Sequence, residues 1–124
     1  IFFDQVPTSP YLVAPVAVAA GTARRAGLPR VVLNPGQPPD GLYRELGAQV
    51  CVFDGPWSRL RTWPGEGAQA GDGYLVHGVP PDERADAEAD LAARGAGFAL
   101  VTDRVPPRPY TAPPSWLDLT SVAG

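Results

Sequence analysis

Ile1-Phe2-Phe3-Asp4 sets three large apolar side chains in a row with a carboxylate directly after them. So short and uninterrupted an apolar run reads as a strand buried on both faces, as in a parallel sheet covered by helices. The carboxylate then falls at the strand's C-terminal end, where parallel α/β folds place their chemistry, because the loops there frame an open crevice. Taken alone, Asp4 is equally a turn former or a helix cap. Its functional reading comes from repetition: an apolar run and then a polar residue recur at Val31–Asn34, Gln49–Asp54, Tyr74–His77 and Phe98–Asp103.

Between these runs the punctuation is helical. Ser9-Pro10 is a helix start, and Pro15 pushes the expected helix to run from near Ala14 to Ala26, with Arg24 and Arg25 suited to its C-terminal dipole and Gly27 as its stop. Asp40 to Leu46 predicts a brief helix closed by Gly47, and Ser58 to Trp63 a single turn. Pro64 to Gly73 reads as a mobile Gly-rich loop without the Lys-Ser/Thr of a phosphate loop. Pro81 to Arg94 is the clearest helix, with Asp82 and Glu83 in its first turn, an Ala-rich body and Gly95 after it. From Pro106 to Gly124 the chain is Pro-rich and reads as a tail packed over a single domain spanning residues 1–124.

Composition excludes several classes. A net charge of −3 and the absence of any basic cluster argue against nucleic acid and anionic membrane as partners. All cations are Arg, which with the abundant Ala, Gly and Pro suggests a GC-rich bacterial genome. Cys51 lies inside an apolar run and reads as a small core residue, with no second Cys for a disulfide and no Cys/His set for a metal. No strand is followed by a nucleotide fingerprint, so no cofactor is implied. The start in mid-strand without Met suggests that further units, and any secretion signal, precede Ile1.

Five strands, near residues 1–4, 31–34, 49–53, 74–77 and 98–102, alternate with helical segments at the spacing of βαβ units, about 30 residues each. Two architectures fit: five units of an eight-stranded (β/α)8 barrel, or a complete five-stranded doubly wound sheet. The polar strand ends favour the barrel, which would gather Asp4, Asn34, Asp54, His77 and Asp103 on one rim. The alternatives have different consequences for the chain alone, since five of eight strands leave two edges open to the rest of the barrel or to another chain.

Two carboxylates across a groove are what glycoside hydrolysis needs, and Asp4 and Asp54 end strands two units apart. Asn34 could hydrogen-bond a sugar hydroxyl, although Asn-Pro-Gly is equally a plain turn. Trp57 could stack on a sugar ring or anchor packing. His77, the one His, is as a lone residue more often structural than functional, and Ser58 and Ser115 lack any nucleophile-elbow context.

Ile-Phe-Phe-Asp (1–4), Val-Leu-Asn-Pro-Gly (32–36), Phe-Asp-Gly-Pro-Trp (53–57) and Ala-Pro-Pro-Ser-Trp (112–116) come in the order seen in the spherulin-4-like family, also called spherulation-specific family 4. The chain resembles the last five units of that family's (β/α)8 barrel. The resemblance implies a secreted glycoside hydrolase akin to endo-α-1,4-galactosaminidases, acting on an amino-sugar or galactose-containing polysaccharide. It further implies Asp4 and Asp54 as the catalytic pair, with Gln5, Asn34, Trp57, His77 and Asp103 around the sugar and neither metal nor cofactor. Two positions depart from the family pattern: Gln5 stands where its active members have Glu after the first Asp, and Asp54 where they have Glu. Gln cannot exchange a proton at neutral pH. A catalytically inactive, carbohydrate-binding relative is therefore the second reading, and without the secretion signal the expected location is the cytoplasm.

Overall fold

The computed structural model describes residues 1–117. Its five strands are β1 (Phe2–Phe3), β2 (Val32–Leu33), β3 (Gln49–Pro56), β4 (Gly73–His77) and β5 (Phe98–Val101). They form one sheet in the order β1-β2-β3-β4-β5, and every neighbouring pair is parallel. A doubly wound sheet requires the strand order to reverse so that helices cover both faces. Here the order never reverses. With right-handed crossovers this puts the connecting helices on one face and leaves the other as the concave inner face of a barrel-type segment.

The helices are α1 (Val13–Arg25), α2 (Trp57–Leu60) and α3 (Arg84–Ala93), with 3-10 turns at Pro10–Leu12, Gly41–Leu46 and Pro81–Glu83. Ser9 caps the first turn by accepting from the Tyr11 N–H, so helical structure begins earlier than expected. Pro15 is tolerated because it falls in the first turn of α1, where backbone N–H groups have no partner within the helix. Asp40 caps the Gly41–Leu46 turn through Leu42, and Gly47 ends it at φ 67°. The helix-facing side of the sheet forms two apolar clusters. Val6, Ala20, Ala23, Val31, Leu33 and Tyr43 gather under α1, while Val50, Phe53, Tyr74, Val76, Ala87 and Leu91 belong to the cluster under α2 and α3.

Three sequence expectations change. The opening strand is not buried on both faces: Phe2 pairs with Val32 on the inner side and is 45% exposed, because helices cover only the outer side. The Gly-rich stretch before β4 is tied down. Asp72, almost fully buried, takes two hydrogen bonds from Arg44 at 2.6 and 2.8 Å and one from the Gln69 N–H at 2.7 Å, while Arg44 also reaches the Gly67 carbonyl. The third strand runs on through Pro56, so Asp54 lies within β3 rather than in a loop after it.

Candidate functional site

The site is built by strand register. Parallel partners point the same way, so Phe2 with Val32, and Phe3 with Leu33, define an inner and a helix-facing row. Leu33 pairs with Val50, and both lie in the helix-facing core. Continued alternation along β3 would send Asp54 the same way as Val50 and Val52, into the helices. A bulge prevents this. Cys51 pairs with Gly73, but the next partner of β4, Tyr74, is matched by Phe53, so Val52 is the extra residue. Beyond it, Asp54 pairs with Leu75 and Pro56 with His77, on the inner side.

Asp4, Asn34 and Asp54 meet there. Asn34 is 3% exposed, and both hydrogens of its carboxamide are used. Its Oδ1 accepts from the Gly36 N–H at 3.0 Å, which fixes the orientation of the amide. Its Nδ2 donates to Asp4 Oδ1 at 3.0 Å and to Asp54 Oδ2 at 3.2 Å. One nitrogen reaches both carboxylates, so the two accepting oxygens are no more than about 6 Å apart. The other Asp54 oxygen, Oδ1, accepts from the Tyr110 hydroxyl at 3.1 Å. Arg59 lies alongside: its Nη2 donates to the Asp54 carbonyl at 3.0 Å, and its guanidinium stacks 4.8 Å above the Phe53 ring. Gly55 makes that possible, because a Cβ there would collide with the guanidinium. A cleft of about 410 Å³ opens between the loops after β2 and β3, lined by Gly36, Gln37, Asp54, Arg59 and Trp63 among others.

Gln5 follows Asp4 with φ 52°, and it is the one non-glycine residue of positive φ among the described residues. Left-handed backbone there costs of order 1–3 kcal/mol. It is imposed by the ladder on either side, where the Asn34 N–H donates to the Phe3 carbonyl and the Val6 N–H to the Asn34 carbonyl. His77 sits at the end of β4 with its ring 6.3 Å from that of Tyr110, edge to face. Its Nδ1 is buried without a hydrogen-bond partner. Burial lowers its pKa and Arg59 adds to that, while Asp54 opposes it, so the imidazole is neutral at pH 7. Burial beside this cluster also pushes the Cys51 thiol up to about 12, which leaves it inert.

Other expected site residues are placed differently. Asn34 has no donor left for a sugar. Trp57 is 5% exposed, donates its indole N–H to Glu83 at 2.6 Å and has Arg61 over its ring, so it is a packing anchor with no open stacking face. Asp103, at the end of β5, accepts from the Ser115 N–H at 2.9 Å instead of joining the carboxylates, and Ser115 holds its carboxyl below the usual range. Tyr110 and Arg59 were missed because neither ends a strand. Tyr110 reaches Asp54 across 56 positions of sequence, and no local pattern carries that. Among the described residues no three His, Cys, Asp or Glu side chains are grouped as a metal would require.

The arrangement is thus a parallel, barrel-type α/β segment with a carboxylate pair at the C-terminal ends of its strands. Among solved structures it is similar to Sph3 of Aspergillus clavatus, crystallised in complex with GalNAc, with a TM-score of 0.69 and 21% sequence identity. The match covers 93% of this chain and 52% of the other, so this chain spans about half the length of that protein. At that identity the likeness is one of fold. No protein-family model matches the chain, and no curated protein matches it.

Proposed function

We propose that the protein is a glycoside hydrolase acting on an amino-sugar or galactose-containing polysaccharide, with Asp4 and Asp54 as its catalytic pair. The observation that carries this reading is the single Asn34 nitrogen bonded to both carboxylates. The two hydrogens of one NH2 diverge by about 120°, which places the accepting oxygens about 5 Å apart. That is the spacing of retaining enzymes, about 5–5.5 Å, and is too short for the intervening water of an inverting one. A neighbour of the same fold crystallised with GalNAc supports an amino sugar as ligand.

In this mechanism Asp54 passes its carboxyl proton to the glycosidic oxygen as the C–O bond breaks, and Asp4 bonds to the anomeric carbon. Water then replaces Asp4 and gives a proton back to Asp54. Neutral His77 and the side chain of Gln5 contact the sugar. A polysaccharide substrate goes with a secreted protein, and this reading takes the protein to act outside the cell. A second reading, a relative that binds the polymer without cleaving it, is favoured by Gln5, which cannot exchange a proton.

The test is hydrolysis of a galactosamine polymer by the protein and by Asp4→Asn and Asp54→Asn, with the anomeric configuration of the product followed by NMR. Both variants should lose cleavage and keep binding, and Asp54→Asn should lose least with leaving groups that need no protonation. Wild-type rates in either variant would remove these residues from the chemistry, and an inverted product would refute the spacing argument. Binding by the unmutated protein without cleavage would select the second reading.

A further inference from the structure

The Pro-rich segment after β5 is more than a covering. It is pinched at its base, where Ser115 N–H donates to Asp103 Oδ1 at 2.9 Å and Arg104 Nε to the Pro113 carbonyl at 3.0 Å. Beyond that neck Trp116 packs on the outer cluster with Arg84 over its ring. At the inner end, Gly78 and Val79 of the loop after β4 donate to the Arg104 and Thr102 carbonyls. A loop fastened on both sides and filled with Pro has little conformational freedom. It presents Tyr110 to the carboxylate pair.

We propose that Tyr110 is a positioning residue for Asp54, and that residues 103–116 form a fixed strap walling the sugar site beside β4 and β5. The inference rests on the glycosidase reading above. A carboxyl group has two oxygens and about four acceptor directions. With Asn34 on Oδ2 and Tyr110 on Oδ1 its plane is held at both ends, and one direction on each oxygen is left for substrate. With Asn34 alone it could swing. Burial and the neighbouring Asp54 raise the Tyr110 pKa far above its usual value, so the phenol keeps its proton and remains a donor throughout the working range. It transfers nothing: the proton that Asp54 gives to the leaving oxygen returns from water, and Tyr110 only fixes the direction in which it leaves. The edge-to-face contact with His77 fixes the ring itself.

Tyr110→Phe keeps the ring and its contact with His77 and removes only the hydrogen bond. Misplacing a reacting group by about 1 Å costs on the order of 100-fold. The variant should therefore lose about 10- to 100-fold in kcat with KM within about twofold, and its pH–rate profile should move. A lower melting temperature with an unchanged kcat and profile would make Tyr110 merely structural and overturn the proposal. A second measurement needs no catalysis. With 3-fluorotyrosine incorporated, the fluorine resonance that disappears in Tyr110→Phe should be displaced in Asp54→Asn, because the hydroxyl then faces an amide in place of the carboxyl group. A resonance unmoved by Asp54→Asn would also overturn the proposal. If it responds while the protein cleaves no amino-sugar polymer, the catalytic reading fails and the contact between Tyr110 and Asp54 stands.

Discussion

Replacing Asn34 with Asp changes almost no volume and tests the centre of the site. In the native protein one NH2 donates to two carboxylates from a position 3% exposed. Asn34→Asp turns both contacts into oxygen facing oxygen at about 3 Å. Two unit charges that close, at an effective dielectric of about 20, repel by roughly 5 kcal/mol. Taking up a proton is less costly. Holding a carboxyl protonated at pH 7 against an ordinary value near 3.9 costs about 4 kcal/mol, and its single O–H restores one of the two bonds. The bond that stays lost is worth about 1.5–3 kcal/mol, at the low end here because Asp4 is exposed and can turn to water.

The variant should thus be less stable by about 5–6 kcal/mol at pH 7 and only about 2 kcal/mol at pH 4. The sign follows from linkage: the folded variant holds one proton more than its unfolded chain, so its stability falls as pH rises, by about 1.4 kcal/mol per unit. Urea unfolding of both proteins between pH 4 and 7, with Asn34→Ala as the control without an introduced charge, measures this directly. A stability difference that is the same at both ends of the range would refute the three-way geometry.

His77 predicts the opposite slope. Its pKa is lowered in the folded state, so native stability should decline as pH falls below about 6.5, and His77→Gln should remove that part of the decline in a series of thermal melts. Asp72→Ala strands the Arg44 guanidinium, itself mostly buried, and should cost about 3–5 kcal/mol of unfolding free energy measured by denaturant unfolding; a loss under about 1 kcal/mol would mean that the pair is a surface contact. Gly73→Ala sets a methyl against the Phe98 ring, which lies over the glycine on the inner face. Overpacking of that kind should cost about 1–3 kcal/mol, and Phe98→Ala should relieve it in a double-mutant cycle.

Much of the architecture is written locally. Each strand is a short apolar run bounded by Pro, Gly or a charge, and each helix carries its own signals, from Ser9 and Asp40 as caps to Gly47 and Gly95 as stops. Alternation of such units implies a parallel sheet, and polar residues closing the strands imply one functional edge, so Asp4, Asn34, Asp54 and His77 could be picked from the sequence by position. What they do could not. A side chain's facing depends on which residue of the next strand it pairs with, and the extra residue at Val52 that turns Asp54 inward is a property of the β3–β4 ladder, invisible in either strand alone. Asn34 became a bridge rather than a sugar ligand because two carboxylates from flanking strands claim both of its hydrogens. Trp57 became an anchor because Glu83, from two elements later, takes its N–H. Tyr110 entered the site because a strap knotted at Asp103 and Arg104 folds back over the sheet. Local sequence fixes where polar groups are available, and only the closing of long loops decides which of them satisfy one another.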